Sequence, residues 1–297
     1  MGPCRMVEEK IKNKAKEIGF DLFGIASCEP SFYLDYFRKW IEEKRYGEMR
    51  YLADERRAYP LEVFPWAKSV VVLGVNYNPG EIPPPEGKVG RIARYAMVKD
   101  YHKVIKGMLK RLFEEIKSIL PGVRGKYFVD SSPFFEKELG MRAGLGWIGK
   151  NTLLINPRFG SYFFLGEIVL DYPLSPTPKE FEGCGDCDLC IQACPTGALS
   201  PYSLDPRKCI AYLTTVKKGK VEYPGNFLYG CDICQEVCPW NKGREKSKIF
   251  KPIEELINPG VEDIMKISFK DTVIRRSLLL RNLEVVRRNH GMVEGLL

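Results

Sequence analysis

The sequence has no apolar run long enough to cross a bilayer. Its longest stretches, Ser69 to Val75 and Ser161 to Leu170, stop well short of the roughly 20 residues a spanning helix needs, so no membrane segment is expected. Histidine is scarce, at two in 297 residues. A lone histidine is usually structural or solvated, which is how His290 reads in its basic tail. The opening Met-Gly-Pro-Cys-Arg-Met has neither the apolar core of a secretory signal nor a twin-arginine pair. The expectation is a cytoplasmic protein, with Met6 as an alternative natural start because helical spacing begins just after it. Internal repeats are missing too, apart from two half-similar cysteine motifs. What is present is ordinary globular composition, 44% hydrophobic and 28% charged, enough for one large domain or two smaller ones around a real core.

Local patterns suggest alternating elements up to about Tyr172. Val7 to Ile18 has helical spacing and leads through Gly19 into a short strand, Leu22 to Ala26. Helical patterns run from Phe32 to about Glu55. A β-branched strand, Ser69 to Val75, ends at an Asn78-Pro79-Gly80 turn and a proline-rich loop to Gly87. Val98 to Leu120 is the longest amphipathic helix, closed by Pro121-Gly122, and Lys126 to Val129 is a strand that delivers Asp130 to its end. A helix from about Pro133 to Arg142, a glycine-rich corner, and strands Thr152 to Ile155 and Ser161 to Leu170 come next. The mixture gives an α+β fold class, with an N-terminal α/β domain over 1–172. Three prolines in 173–182 open a cysteine-rich domain, 173–245, and a short helical tail fills 246–297.

Eight of the ten cysteines fall after position 183. In a reducing compartment, thiols so clustered are metal ligands rather than disulfides. Cys184, Cys187, Cys190 and Cys194-Pro195 spell C-x2-C-x2-C-x3-C-P, the bacterial ferredoxin run in which three thiolates grip one 4Fe-4S cubane and the fourth reaches the other. Cys209, Cys231, Cys234 and Cys238-Pro239 supply the second half after an insertion. Crossed ligation assigns Cys184, Cys187, Cys190 and Cys238 to one cluster and Cys194, Cys209, Cys231 and Cys234 to the other. A pair of Cys4 zinc sites would use two C-x2-C knuckles with no proline after the fourth cysteine. Cys4 and Cys28 read as buried or incidental thiols. The formal charge of +8 counts thiols as neutral, and each loaded cluster brings roughly two negative charges, so the balance points only weakly to nucleic acid.

Gly144-Leu-Gly146-Trp-Ile-Gly149-Lys150-Asn151 satisfies G-x-G-x-x-G, yet a helix precedes it and a strand comes after. That order is the reverse of what presents a helix N-terminus to phosphate. The corner is expected instead to let the backbone approach a large, flat ligand. Asp130-Ser131-Ser132-Pro133, with Glu136 and Lys137 just beyond, reads either as a helix cap or as an acid placed at a strand end. His102 stands in Lys99-Asp100-Tyr101-His102-Lys103, at the start of the long helix.

Together, Tyr95-Ala96 with Asp100-Tyr101-His102, Val129-Asp130-Ser131-Ser132-Pro133 with Glu136-Lys137, Ala143 to Lys150, and Gly160-Ser161 with Leu165-Gly166-Glu167 resemble the epoxyqueuosine reductases. Ala193-Cys194-Pro195-Thr196, Tyr229-Gly230-Cys231-Asp232 and Cys238-Pro239-Trp240-Asn241-Lys242 agree, so the resemblance spans roughly Gly19 to Lys242. It implies a cobalamin-dependent oxidoreductase, related to reductive dehalogenases, that reduces the epoxide of epoxyqueuosine in a tRNA anticodon loop to queuosine. The N-terminal domain would bind cobalamin, and an external low-potential donor would charge the clusters. These would feed cobalt one electron at a time, since cluster potentials extend low enough for cob(I)alamin.

The Asp130 position matches the family's proton donor, with an apolar pocket expected to raise its pKa. Arg57, Tyr95, His102, Asp130, Gly149, Lys150, Asn151, Ser161, Ala211, Cys231 and Asp232 would surround the corrin. Ala211 stands where a serine is common, Phe227 replaces a usual arginine and Ile233 a usual aspartate. Members commonly continue into a helical-repeat domain that helps hold tRNA. Here only Phe269 to Asn289, with Arg275, Arg276, Arg281, Arg287 and Arg288, resembles its beginning, as a phosphate contact or a solvated face. Two alternatives stay open: a cobalamin and iron-sulfur reductase of another small molecule, and a plain electron-transfer protein.

Overall fold

The computed structural model describes residues 3–84, 86, 90–260 and 264–291. Its main sheet has four strands, β1 (Leu22–Ala26), β2 (Ser69–Asn76), β3 (Gly125–Phe128) and β4 (Phe163–Leu170), in the spatial order β1-β2-β4-β3, and every neighbouring pair is antiparallel. All eight residues of β2 and all eight of β4 are buried. Strands covered on both faces need apolar side chains on both, so these two read as continuous apolar runs rather than alternating ones.

Six helices frame the sheet and the cysteine segment: α1 (Pro3–Ile18), α2 (Leu34–Glu42), α3 (Tyr101–Ile119), α4 (Glu136–Arg142), α5 (Ile210–Thr215) and α6 (Arg276–Asn289). The N-cap of α3 is Asp100, whose side chain accepts from the His102 N–H. Ile105, Leu109, Leu112 and Ile116 repeat at helical spacing along α3 and bury with Ile11 and Ala15 of α1 against one face of the sheet. The opposite face, carrying Val70, Val72, Phe128, Leu165 and Val169, packs against Leu139 of α4. This is an α+β arrangement, a sheet between helical layers.

Several boundaries differ from the local patterns. The helix expected from Phe32 to Glu55 stops at Glu42, because Lys44 and Gly47 take left-handed backbone conformations. A side chain at Gly47 would run into the ring of Tyr212, so a distant contact ends what periodicity would have continued. α4 begins at Glu136 rather than near Pro133, since Asp130 to Phe135 form a loop. Of Thr152 to Ile155, Leu154–Ile155 pairs with Trp147–Ile148, while Thr152 is left-handed. The tail is helical in α6 and otherwise carries only short 3-10 turns. The side chain of Cys4 and part of the proline-rich loop lie outside the described residues.

The cysteine segment folds as one-turn helices, Leu189–Gln192 and Ile233–Glu236, with α5 and a tight hairpin, Leu199–Ser200 against Ser203–Leu204. α6 closes over it. Leu279, Leu283 and Val286 share an apolar cluster with Ile92, Met97, Leu228 and Tyr229. Asn282, fully buried, donates to the carbonyls of Thr214 and Leu228 at 2.8 Å each. Arg281 donates to the carbonyls of Leu213 and Lys217; it is a docking residue and cannot serve as the free phosphate contact its sequence context suggested. Asn282→Ala would strand both carbonyls, and by the usual cost of buried unsatisfied groups the variant should lose roughly 1–3 kcal/mol in urea denaturation.

Candidate active site

The eight motif cysteines line two cavities. Cys184, Cys187, Cys190 and Cys238 line a small one, closed by Ile155 and Trp240. Cys194, Cys209, Cys231 and Cys234 line one side of a larger cavity of about 380 Å³. The run C-x3-C-P carries the chain from one cavity to the other, which is why Cys194 and Cys238 part from their nearest sequence neighbours. Lys150 and Asn151 border the small cavity, and Asn151 also borders the large one.

The same large cavity is lined by the aromatic side chains of Tyr77, Tyr95, Tyr101, Phe163 and Phe164. The rings of Tyr101 and Phe164 lie nearly parallel at 3.9 Å, and those of Tyr77 and Phe164 stack at 4.3 Å. Burial drives the Tyr77, Tyr95 and Tyr101 phenols well above the ordinary tyrosine range, so all three stay neutral. Lys137 also borders the cavity and donates to the Thr152 carbonyl at 2.7 Å.

Hydrogen bonds fasten the cysteine segment to the end of the sheet. Ser161 donates its N–H to Asn241 Oδ1 at 2.7 Å and its hydroxyl to Gln235 Oε1 at 2.8 Å, and Asn241 donates to the Gln235 carbonyl at 2.8 Å. Asp232, buried beside Cys231, accepts from the Arg94 N–H at 2.6 Å and from Gln235 Nε2 at 2.9 Å. Burial pushes its carboxyl up to about 6.

Asp130 sits just past β3 with φ of 53°, a conformation uncommon for a residue with a side chain. Tyr101 donates to its Oδ2, and His102 Nε2 lies 3.3 Å from the same oxygen. The hydrogen bond to Asp130 raises the affinity of His102 for a proton. The apolar pocket expected around Asp130 is not what surrounds it: the side chain is 46% exposed and held from one side by a phenol and an imidazole. The loop is fixed by Arg57, which donates to the carbonyls of Ser132 and Phe134 at 3.1 Å each.

Of the residues singled out for the corrin, Tyr95, Asn151, Ser161, Ala211, Cys231 and Asp232 border the large cavity. Arg57 instead holds the Asp130 loop, His102 and Asp130 stand behind Tyr101, and Lys150 faces the small cavity. The glycine corner also departs from expectation. A side chain at Gly146 would meet the Ile155 carbonyl, one at Gly144 the Thr177 carbonyl, and one at Gly149 the side chains of Ile155 and Asn151. The corner is thus approached by the protein's own chain. Gln235, Asn241 and Tyr101 were missed as site residues. The only sequence signal for the first two was their place beside ligand-spaced cysteines. Cys28 is buried, which raises its thiol to about 11 and keeps it unreactive.

The residues suit a large cofactor with a flat, apolar body. The cavity has aromatic walls, and the Asn151 amide nitrogen, which reaches it, is buried with no hydrogen-bond partner among the described residues. Two family models match the chain: epoxyqueuosine reductase QueG, DUF1730, over residues 57–131, and a 4Fe-4S double cluster binding domain over residues 183–241. The chain is 38% identical to the epoxyqueuosine reductase of Leadbetterella byssophila, covering 98% of this chain and 99% of that one. A crystal structure of an epoxyqueuosine reductase with an epoxyqueuosine-modified tRNA stem loop superimposes with a TM-score of 0.84 at 28% identity, over 97% of this chain and 82% of that one. A structure of the Bacillus subtilis enzyme, with the loop of its catalytic aspartate swung out of the active site, gives the same TM-score, identity and coverage.

The segment holds two 4Fe-4S clusters. Paired substitutions test which cysteines share one. Cys184→Ala with Cys238→Ala should remove a single cluster, leaving about four of about eight irons per chain. Cys184→Ala with Cys194→Ala should remove both. Iron analysis after anaerobic reconstitution reads the difference, and an uncrossed arrangement would reverse the two results.

Proposed function

The chain belongs to the epoxyqueuosine reductase family, and from that premise we propose that it reduces the epoxide of epoxyqueuosine in a tRNA anticodon loop, giving queuosine. The observation that carries the reading is one cavity lined both by Cys194, Cys209, Cys231 and Cys234 and by Tyr101, whose hydroxyl donates to Asp130. Electrons from the clusters and a proton from Asp130 would thus reach the same cavity. Cobalamin, when bound, supplies the low-valent cobalt that engages the epoxide carbon. Tyr95, Asn151, Ser161, Ala211 and Asp232 would hold it, with residues 1–172 as its domain, 173–245 as the cluster domain and 246–297 as the helical tail.

The chain's own side chains do the rest. The neutral phenols of Tyr77, Tyr95 and Tyr101 give part of the cavity an uncharged aromatic lining, which strengthens the electrostatics of any charge developing beside it. Asp130 supplies a proton to the departing oxygen. Tyr101 and His102 aim its carboxyl, and Arg57 holds the loop that carries it. The strained φ at Asp130 fits a loop with two positions, as the Bacillus subtilis enzyme displays.

An external low-potential donor would reduce the clusters. The exposed Arg275, Arg276 and Arg288 would meet tRNA phosphates. No helix among the described residues is long and apolar enough to cross a membrane, and we place the reaction in the cytoplasm. Asp130→Asn keeps the size of the side chain and removes its acid. The variant should bind both clusters and cobalamin normally yet lose turnover of epoxyqueuosine-containing tRNA by roughly 100-fold to 10,000-fold. Full activity would sink the assignment.

A further inference from the structure

Asn151 uses one end of its side-chain amide and leaves the other idle. The residue is buried, only 4% exposed. Its Oδ1 accepts from the Leu153 N–H at 3.2 Å, closing a short turn. This bond decides which end of the amide is which, because a flipped side chain would set N–H against N–H and leave Leu153 without its acceptor. Nδ2 is therefore the free end, and it is buried with no hydrogen-bond partner among the described residues. Buried donors are nearly all paired in folded proteins, so an orphan of this kind marks a missing acceptor.

The surroundings show what that acceptor is. Asn151 lines both the small cavity of Cys184, Cys187, Cys190 and Cys238 and the large one. Besides the cysteines, the rest of the small cavity is lined by Lys150, Ile155, Leu189, Pro239 and Trp240. The lysine and the indole only donate and the other three are apolar, so sulfur is the sole side-chain acceptor in that lining. No cysteine thiol bonds Nδ2 by itself; a cubane fills the space between the thiols with further sulfur. The surplus of donors is not confined to Asn151. The Nε1 of Trp147, which packs in one cluster with Cys184 and Cys238, also lacks a partner among the described residues.

We propose that Asn151 donates one Nδ2 hydrogen to a sulfur of the cluster in the small cavity and raises its reduction potential, leaving the other hydrogen for the cofactor of the large cavity. When this cluster is reduced, one electron enters the cubane, no proton is taken up, and the added negative charge spreads onto its sulfurs. A hydrogen bond to sulfur favours the more negative state. Leu189 and Pro239, in the same lining, are exposed, so this cluster lies beside the surface, where an external donor can reach it. Asn151 makes it easier to charge. This role rests on the cysteine lining and the clusters, whatever the substrate.

Potentiometric titration of the full chain, with both clusters and cobalamin bound and no tRNA, followed by electron paramagnetic resonance, reads the two cluster potentials. Cys187 lines the small cavity and not the large one, so Cys187→Ser marks the signal of that cluster. Asn151→Ser shortens the side chain, yet its hydroxyl can still accept from the Leu153 N–H as serine does in turns. It should weaken the marked cluster's hold on its electron about tenfold, a fall of about 59 mV for a one-electron couple, with the other potential in place. Asn151→Asp keeps the turn and puts a negative acceptor where the donor was, and should lower the same potential further. In protein carrying heavy nitrogen in its asparagine side chains, pulsed resonance of the reduced cluster should show a nitrogen coupling that Asn151→Ser removes.

Unchanged potentials, a shift of the other cluster instead or by as much, or a wild type without the nitrogen coupling would each overturn the proposal. Should Asn151→Ser fail to hold its full iron, Asn151→Asp and the coupling in the wild type carry the test. An unmoved potential beside full turnover of epoxyqueuosine-containing tRNA would remove Asn151 from the electron supply and leave the function standing. A shifted potential in a wild type that never turns over such tRNA would do the reverse.

Discussion

Everything in the site hangs on β4 being buried on both faces. The strand lies between β2 and β3, so its side chains have nowhere to go but into one helical layer or the other. Just before it, Ser161 is knotted to Gln235 and Asn241 of the cysteine segment. In its middle Glu167 sits under apolar neighbours, and along its edge β3 runs out into Asp130. One strand thereby ties the cysteine segment to the end of the sheet and carries, on its partner β3, the start of the Asp130 loop.

The electrostatic layout comes from the same burial. The phenols lining the cavity are neutral, and one of them, Tyr101, donates to the half-exposed Asp130. The carboxyls that lie deeper, Glu136, Glu167 and Asp232, all have raised proton affinities because burial penalises their charged forms.

The tail illustrates how a sequence pattern can mislead about function while being right about structure. Five arginines around Leu278 to Leu280 suggest a phosphate-binding helix, and α6 does form. Yet Arg281 turns inward to cap carbonyls of the cysteine segment, and Asn282 satisfies two more. Part of the basic face is mortar between domains. Relatives of matching length, such as the Leadbetterella byssophila enzyme, carry the family name over a chain of this extent.

The sequence by itself determined the two clusters and most of the sheet and helices. Ligand spacing is a local property, and continuous apolar runs and helical periodicity are local too, so eight cysteines, β2, β4 and α3 were legible from residue order. The place of Asp130 at a strand end was legible for the same reason. Tertiary structure alone decided what surrounds Asp130, that Arg57 grips its loop, and that Gly144 and Gly146 make room for the protein's own carbonyls. It also ended α2 early through the contact of Gly47 with Tyr212, and it brought Gln235 and Asn241 to Ser161. These depend on contacts between residues from nine to more than a hundred positions apart. No local spacing encodes such contacts, because they arise only when burial forces distant segments to share one interior.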